Sequence, residues 1–174
     1  DEKILDALEV GQRIFGENKI QDAIKRWSGL LSIYKDIELH YIGHLQTNKV
    51  KKAINFFDVI HTLDRENLAL EISKHLTPQS KTKSFMIQVN TGKEKNKSGV
   101  SLENFEEFLK LVLSLNIPVK GLMCLPPVDD EPSIHFCILR ELANKFELND
   151  LSMGMSMDFE KAISFGSTFL RIGS

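Results

Sequence analysis

The chain has 174 residues, of which 42% are hydrophobic and 26% charged, an ordinary globular composition with enough length for a proper core. A formal net charge of −2 and a pI of about 6.2 remove any global electrostatic case for nucleic acid or an anionic membrane. No apolar stretch approaches the roughly 20 residues of a membrane span, and the only two cysteines, Cys124 and Cys137, match neither a metal nor a redox spacing.

A helix is predicted over 2–10, where Ile4, Leu5 and Leu8 share a face and Gly11 is a natural stop. A strand follows at 13–17. Asn18 then precedes the helical run "KIQDAIKRW", either as its cap or as a hydrogen-bonding group for a ligand. The strand expected at 39–45 carries His40 and His44, but no third residue with metal spacing joins them. Lys49, Lys51 and Lys52 open the next helix; in an acidic chain they read as a solvated face sooner than as an RNA contact.

Asp64 stands between a strand at 59–63 and the helical run "RENLALEIS". The strand at 85–90 leads into "TGKEKNKSG", which lacks the spacing of a phosphate loop. Ser101 is placed to cap a helix over 102–115, with Leu102, Phe105, Phe108, Leu109, Val112 and Leu113 as its stripe. After a strand at 119–125, Pro132 opens a helix whose buried face is Ile134, Ile138 and Leu142. Cys124 and Cys137 fall in these two segments and are expected to be core thiols, suited to a reducing compartment. A strand at 150–155 runs into a helix that Ser156 would cap, and a last strand at 169–172 ends on "RIGS".

Strands alternating with helices imply βαβ units and a parallel sheet. Seven strands at roughly 25 residues per unit approach the repeat of a TIM (β/α)8 barrel, with an open doubly wound sheet as the alternative. On the barrel reading 1–174 is a single α/β domain, incomplete at both ends, lacking the first strand and the last helix. The strand bodies read as plain aliphatic, and polar residues gather at the C-terminal ends where such barrels do chemistry. Ser156, Gly173 and Ser174 fall after the last two strands, the usual phosphate position. Arg171 lies inside the final strand, where a cation is costly unless it meets an anion, an acceptor or a network; a salt bridge to Asp or Glu is the structural alternative.

The stretches "RIFGENKIQDA", "LHYIGHLQTNKVKKAI", "MIQVNTGKEKNKSGV", "GLMCLPP" and "LSMGMSMDFEKAISFGSTFLRIGS" resemble the pyridoxal-phosphate homeostasis protein family, the single-domain relative of the alanine racemase barrel also labelled proline-synthetase-associated protein. The resemblance runs from about Gly11 to Ser174. It implies a barrel of the alanine racemase N-terminal type that binds pyridoxal 5′-phosphate (PLP) and serves intracellular PLP homeostasis without strong catalytic activity. A PLP-dependent amino-acid racemase-like enzyme is the alternative. It further implies a phosphate cradle of Ser156, Gly173 and Ser174, Met155 beside the ring, Arg171 near the pyridine nitrogen and Asn18 near the ring substituents. Arginine there would disfavour a proton on that nitrogen and weaken the electron sink that carbanion chemistry needs.

Members of the family form a Schiff base through a lysine in a pattern like "VSKT", expected upstream of Asp1. No lysine of this chain matches it, and Lys97 belongs to a different motif. The expected partners are PLP and PLP-dependent apoenzymes, with no nucleic acid, no membrane and no metal, in a cytoplasmic monomer.

Overall fold

Two periods of hydrophobicity, near 3.6 and 2, hand the chain from helix to strand and back. The computed structural model describes residues 2–94 and 97–173. Its elements in chain order are α1 Glu2–Glu9, β1 Ile14–Glu17, α2 Ile20–Ile33, β2 Glu38–Tyr41, α3 Val50–Phe56, β3 Val59–Leu63, α4 Glu66–His75, β4 Ser84–Asn90, β5 Val100–Ser101, α5 Phe105–Ser114, β6 Val119–Cys124, α6 Pro132–Lys145, β7 Asp150–Met155, α7 Phe159–Ser164 and β8 Phe169–Arg171. Every expected strand is present. The two-residue β5, too short for a period to register, was not foreseen.

All the pairings are parallel, and the strands lie in the order β1-β2-β3-β4-β6-β7-β8, with β5 paired to the end of β4. The sheet curls upon itself. His61 of β3 hydrogen-bonds Ser152 of β7, the Phe169 ring of β8 lies 5.2 Å from that of His40 in β2, and Arg171 of β8 donates to the Cys124 carbonyl of β6. An open doubly wound sheet cannot bring its second and third strands against its last two, so the molecule is a nearly closed parallel barrel.

Alternation along the strands divides the apolar residues into two clusters. Leu39, Ile60, Ile87, Leu122 and Met153 face outward and pack beneath the helices with residues such as Trp27, Phe57, Phe105 and Phe136. Val59, Met86 and Met123, with Phe169, form a separate small cluster inside the barrel. The interior is therefore not plain aliphatic: His40, His61, Gln88 and Ser152 are buried on strands.

Gly11, at φ +91°, ends α1 through Gly11 N–H to Leu8 O and Gln12 N–H to Ala7 O, as a left-handed residue permits. Of the face predicted for α1, only Leu8 is buried. Strand β2 stops at Tyr41, so His44 is an exposed loop residue and does not share a face with His40. Ser156 does not cap α7; Asp158 occupies that position. Helix α5 begins three residues later than predicted, and the Ser101 hydroxyl accepts from Asn104 N–H in the turn before it. Cys124 is buried as expected, whereas Cys137 is only partly so, and both are free thiols.

Candidate functional site

The polar residues of the last two strand ends meet at one edge of the barrel mouth. Met155 and Arg171 are register partners across β7 and β8. One residue further on, Ser156 Oγ donates to the Gly173 carbonyl at 3.1 Å and accepts from Gly173 N–H at 3.4 Å. Ser156 and Gly173 are both exposed at the mouth, their two protons spent on each other. Behind it, Gly154 has φ +93°, and a Cβ there would lie 2.5 Å from Ala162 Cβ, so only glycine lets β7 pass this close to α7. Asp158 Oδ1 holds the turn by accepting from Met155 N–H at 2.6 Å.

Arg171 reaches into the barrel and donates to Ser152 Oγ at 2.7 Å and Cys124 O at 2.8 Å. Among the described residues it forms no ion pair, so the salt-bridge alternative fails. Burial pulls its pKa below the ordinary arginine value, against the opposing fields of Cys124 and Asp158. The cation is thus satisfied by neutral oxygens and keeps further N–H donors.

The predicted site residues separate into three sets. Met155, Ser156, Arg171 and Gly173 are brought together. Asn18 is exposed after β1, at the opposite edge of the strand order, beside a cavity of about 240 Å³ that Lys19, Tyr41, His44 and Lys49 also line. It does not cap α2, whose N-cap is Lys19; its carbonyl lies so close to Gly43 that a Cβ there would collide with it. Ser174 lies outside the described residues.

Sequence reading missed what supports Arg171 from behind. Ser152 Oγ lies 2.8 Å from His61 Nδ1, His61 Nε2 lies 2.8 Å from His40 Nδ1, and His40 Nε2 lies 2.8 Å from Glu38 Oε1. Burial above all, then electrostatic repulsion between a protonated His61 and its neighbours His40 and Arg171, holds the His61 pKa well below the ordinary 6.5. Parity was the available signal on β3, where His61 lies two residues after inward-facing Val59. Cys124, beside Arg171, is pushed up to about 12 by burial and is not a nucleophile at neutral pH.

Elsewhere at the mouth, Gln88 is 5% exposed and lines a second cavity, of about 180 Å³, with His44, Thr62 and Asn90. Thr91 Oγ1, His135 and Asp130 form a chain of 3.0 and 3.3 Å contacts. Its order suggests a hydrolytic triad, but Thr91 and His135 are both buried and tie the loop after β4 to α6. Lys97 pairs with Glu94 on the surface, as expected of a solvated loop. Among the described residues no group of histidine, cysteine and acidic side chains could hold a metal, and no helix is long and apolar enough to cross a membrane.

The family model of the alanine racemase N-terminal domain matches residues 1–174. Relatives named pyridoxal phosphate homeostasis protein include one from Aquifex aeolicus, 41% identical over 183 residues that take in 99% of this chain and 79% of the relative. Another, from Escherichia coli, is 33% identical over 98% of this chain and 77% of its own length. Among solved structures, PipY of Synechococcus elongatus with PLP bound superposes with a TM-score of 0.86 at 30% identity, covering 99% of this chain and 84% of that one. The alanine racemase of Corynebacterium glutamicum, at 18% identity and a TM-score of 0.67, shares the fold.

Proposed function

The chain belongs to the pyridoxal phosphate homeostasis family of alanine racemase N-terminal domains, and from that premise we propose that it binds PLP at the ends of β7 and β8 and holds it without turning over a substrate. The observation that carries this reading is the Ser156–Gly173 clasp beside an arginine satisfied only by neutral acceptors. These residues fit the cofactor's chemistry. The Ser156 hydroxyl and the Gly173 N–H, which pair with each other in the clasp, become donors to a phosphate that takes the place of that pairing, and Met155 offers an apolar side chain to the ring. Arg171 is assigned the pyridine nitrogen, and Asn18 the ring substituents.

When bound, PLP supplies a reactive aldehyde on an electron-withdrawing ring. A guanidinium donating to the ring nitrogen disfavours a proton there and blunts that withdrawal. Such a site favours carriage, with PLP-dependent apoenzymes as the receiving partners of a cytoplasmic monomer. The two free thiols accord with a reducing compartment.

Titrating the protein with PLP while following absorbance tests the site. Wild type should saturate, and Ser156→Ala and Arg171→Met should each weaken binding about tenfold, the loss of one charge-assisted hydrogen bond. A wild-type protein that gives no saturable change rejects the proposal. Racemisation of amino acids above a control of free PLP would move the assignment to the enzyme reading.

A further inference from the structure

Proton counting gives the buried chain behind Arg171 a direction. A guanidinium only donates, so Ser152 Oγ must accept from Arg171 Nη1 at 2.7 Å. The serine's single proton then goes to the ring nitrogen 2.8 Å away, His61 Nδ1. With Nδ1 an acceptor, neutral His61 carries its proton on Nε2 and donates to His40 Nδ1. His40 in turn carries its proton on Nε2 and donates to the Glu38 carboxylate. One assignment of protons satisfies every link.

The reverse assignment fails at Ser152. A proton on His61 Nδ1 would make the serine oxygen accept twice, leaving its own proton without a partner on a residue that is 0% exposed. It would also require a cationic His40, since Nδ1 and Nε2 would both donate, placing a second cation in the barrel with Arg171. The Phe169 ring packs against both imidazoles, at 5.2 and 5.8 Å, and helps keep water from them.

We propose that Ser152, His61 and His40 form a one-way hydrogen-bond relay, running from Arg171 on the last strand to Glu38 at the start of β2, that fixes the position of the guanidinium so that its remaining N–H groups face the bound ring. This inference rests on the PLP reading for its ligand, but not for its direction. Ser152, His61 and His40 are positioning residues that act through Arg171. Glu38, with 45% of its side chain exposed, anchors the chain as the terminal acceptor.

The relay is tested with the full chain carrying ¹⁵N-histidine, near pH 7.5, where long-range ¹H–¹⁵N spectra report the protonation of each ring nitrogen. Both His61 and His40 are expected to be neutral with the proton on Nε2, and added PLP should shift the His61 Nδ1 resonance. A cation at either ring, or a proton on His61 Nδ1, overturns the direction. His61→Leu should weaken PLP about tenfold, whereas His61→Gln, which accepts at Oε1 and donates at Nε2, should stay within about twofold of wild type. Ser152→Ala should repeat the tenfold loss and provides the measurement if His61→Leu does not fold. A folded His61→Leu or Ser152→Ala protein with wild-type affinity overturns the positioning role. If wild type takes up no PLP, the functional reading falls and the positioning role with it; the ring resonances judge the relay's direction independently.

Discussion

His61 is 1% exposed between a second imidazole and a serine hydroxyl, and its depressed pKa makes stability depend on pH. The unfolded chain takes up a proton on this ring near the ordinary 6.5, whereas the folded protein refuses it until the pH is far lower. Stability from this residue is therefore fully present above that value and declines as the pH falls toward the folded pKa, by at most about 1.4 kcal/mol per pH unit. Denaturant unfolding at several pH values should show this acid loss, and His61→Gln should flatten it. An equal slope in the variant would assign the loss to other groups. Glu17 is a second buried polar side chain, with two donors converging on its Oε1. It accepts from Trp27 Nε1 at 2.7 Å and Arg26 Nη1 at 2.6 Å. Glu17→Ala should cost about 2 kcal/mol by orphaning the buried indole N–H of Trp27, read as a lowered denaturation midpoint.

Strand–helix units carry the site through close approach at their joints. Gly154 is the clearest case, because a positive φ and the nearness of Ala162 both exclude a side chain. Gly154→Ala should destabilise by about 2 kcal/mol or more and loosen the Ser156–Gly173 clasp two residues on, so PLP affinity and melting temperature should fall together. Full affinity in a destabilised variant would show that the clasp forms independently of the β7–α7 joint. The unit β1–α2 is pinned by Glu17 to Trp27, which places the Asn18 loop after the strand. In the adjoining unit Gly43 lets the loop after β2 press against Asn18. These are packing devices, and they explain why small residues crowd the strand ends beside the polar ones.

At the scale of the whole molecule, β4 lies mid-sheet, whereas among the described residues β1 and β8 each pair on one side only. Backbone hydrogen exchange should accordingly be slowest in β4 and β6 and fastest in β1 and β8. Equal protection at the edges would mean that another segment covers them in solution. Sequence alone determined the alternation of strands and helices, because 3.6 and 2 are local periods that survive without tertiary context. It also brought Ser156, Arg171 and Gly173 to the last strand ends, since parity and chain order are enough to aim neighbouring residues at one mouth. Only tertiary structure decided that Ser156 clasps Gly173 in place of capping α7, and that Arg171 rests on Ser152 and a carbonyl without a carboxylate. The His40–His61–Ser152 chain was likewise invisible. Its members are separated by 21 and 91 residues, and no periodicity within a strand reports which side chains meet once the sheet has curled.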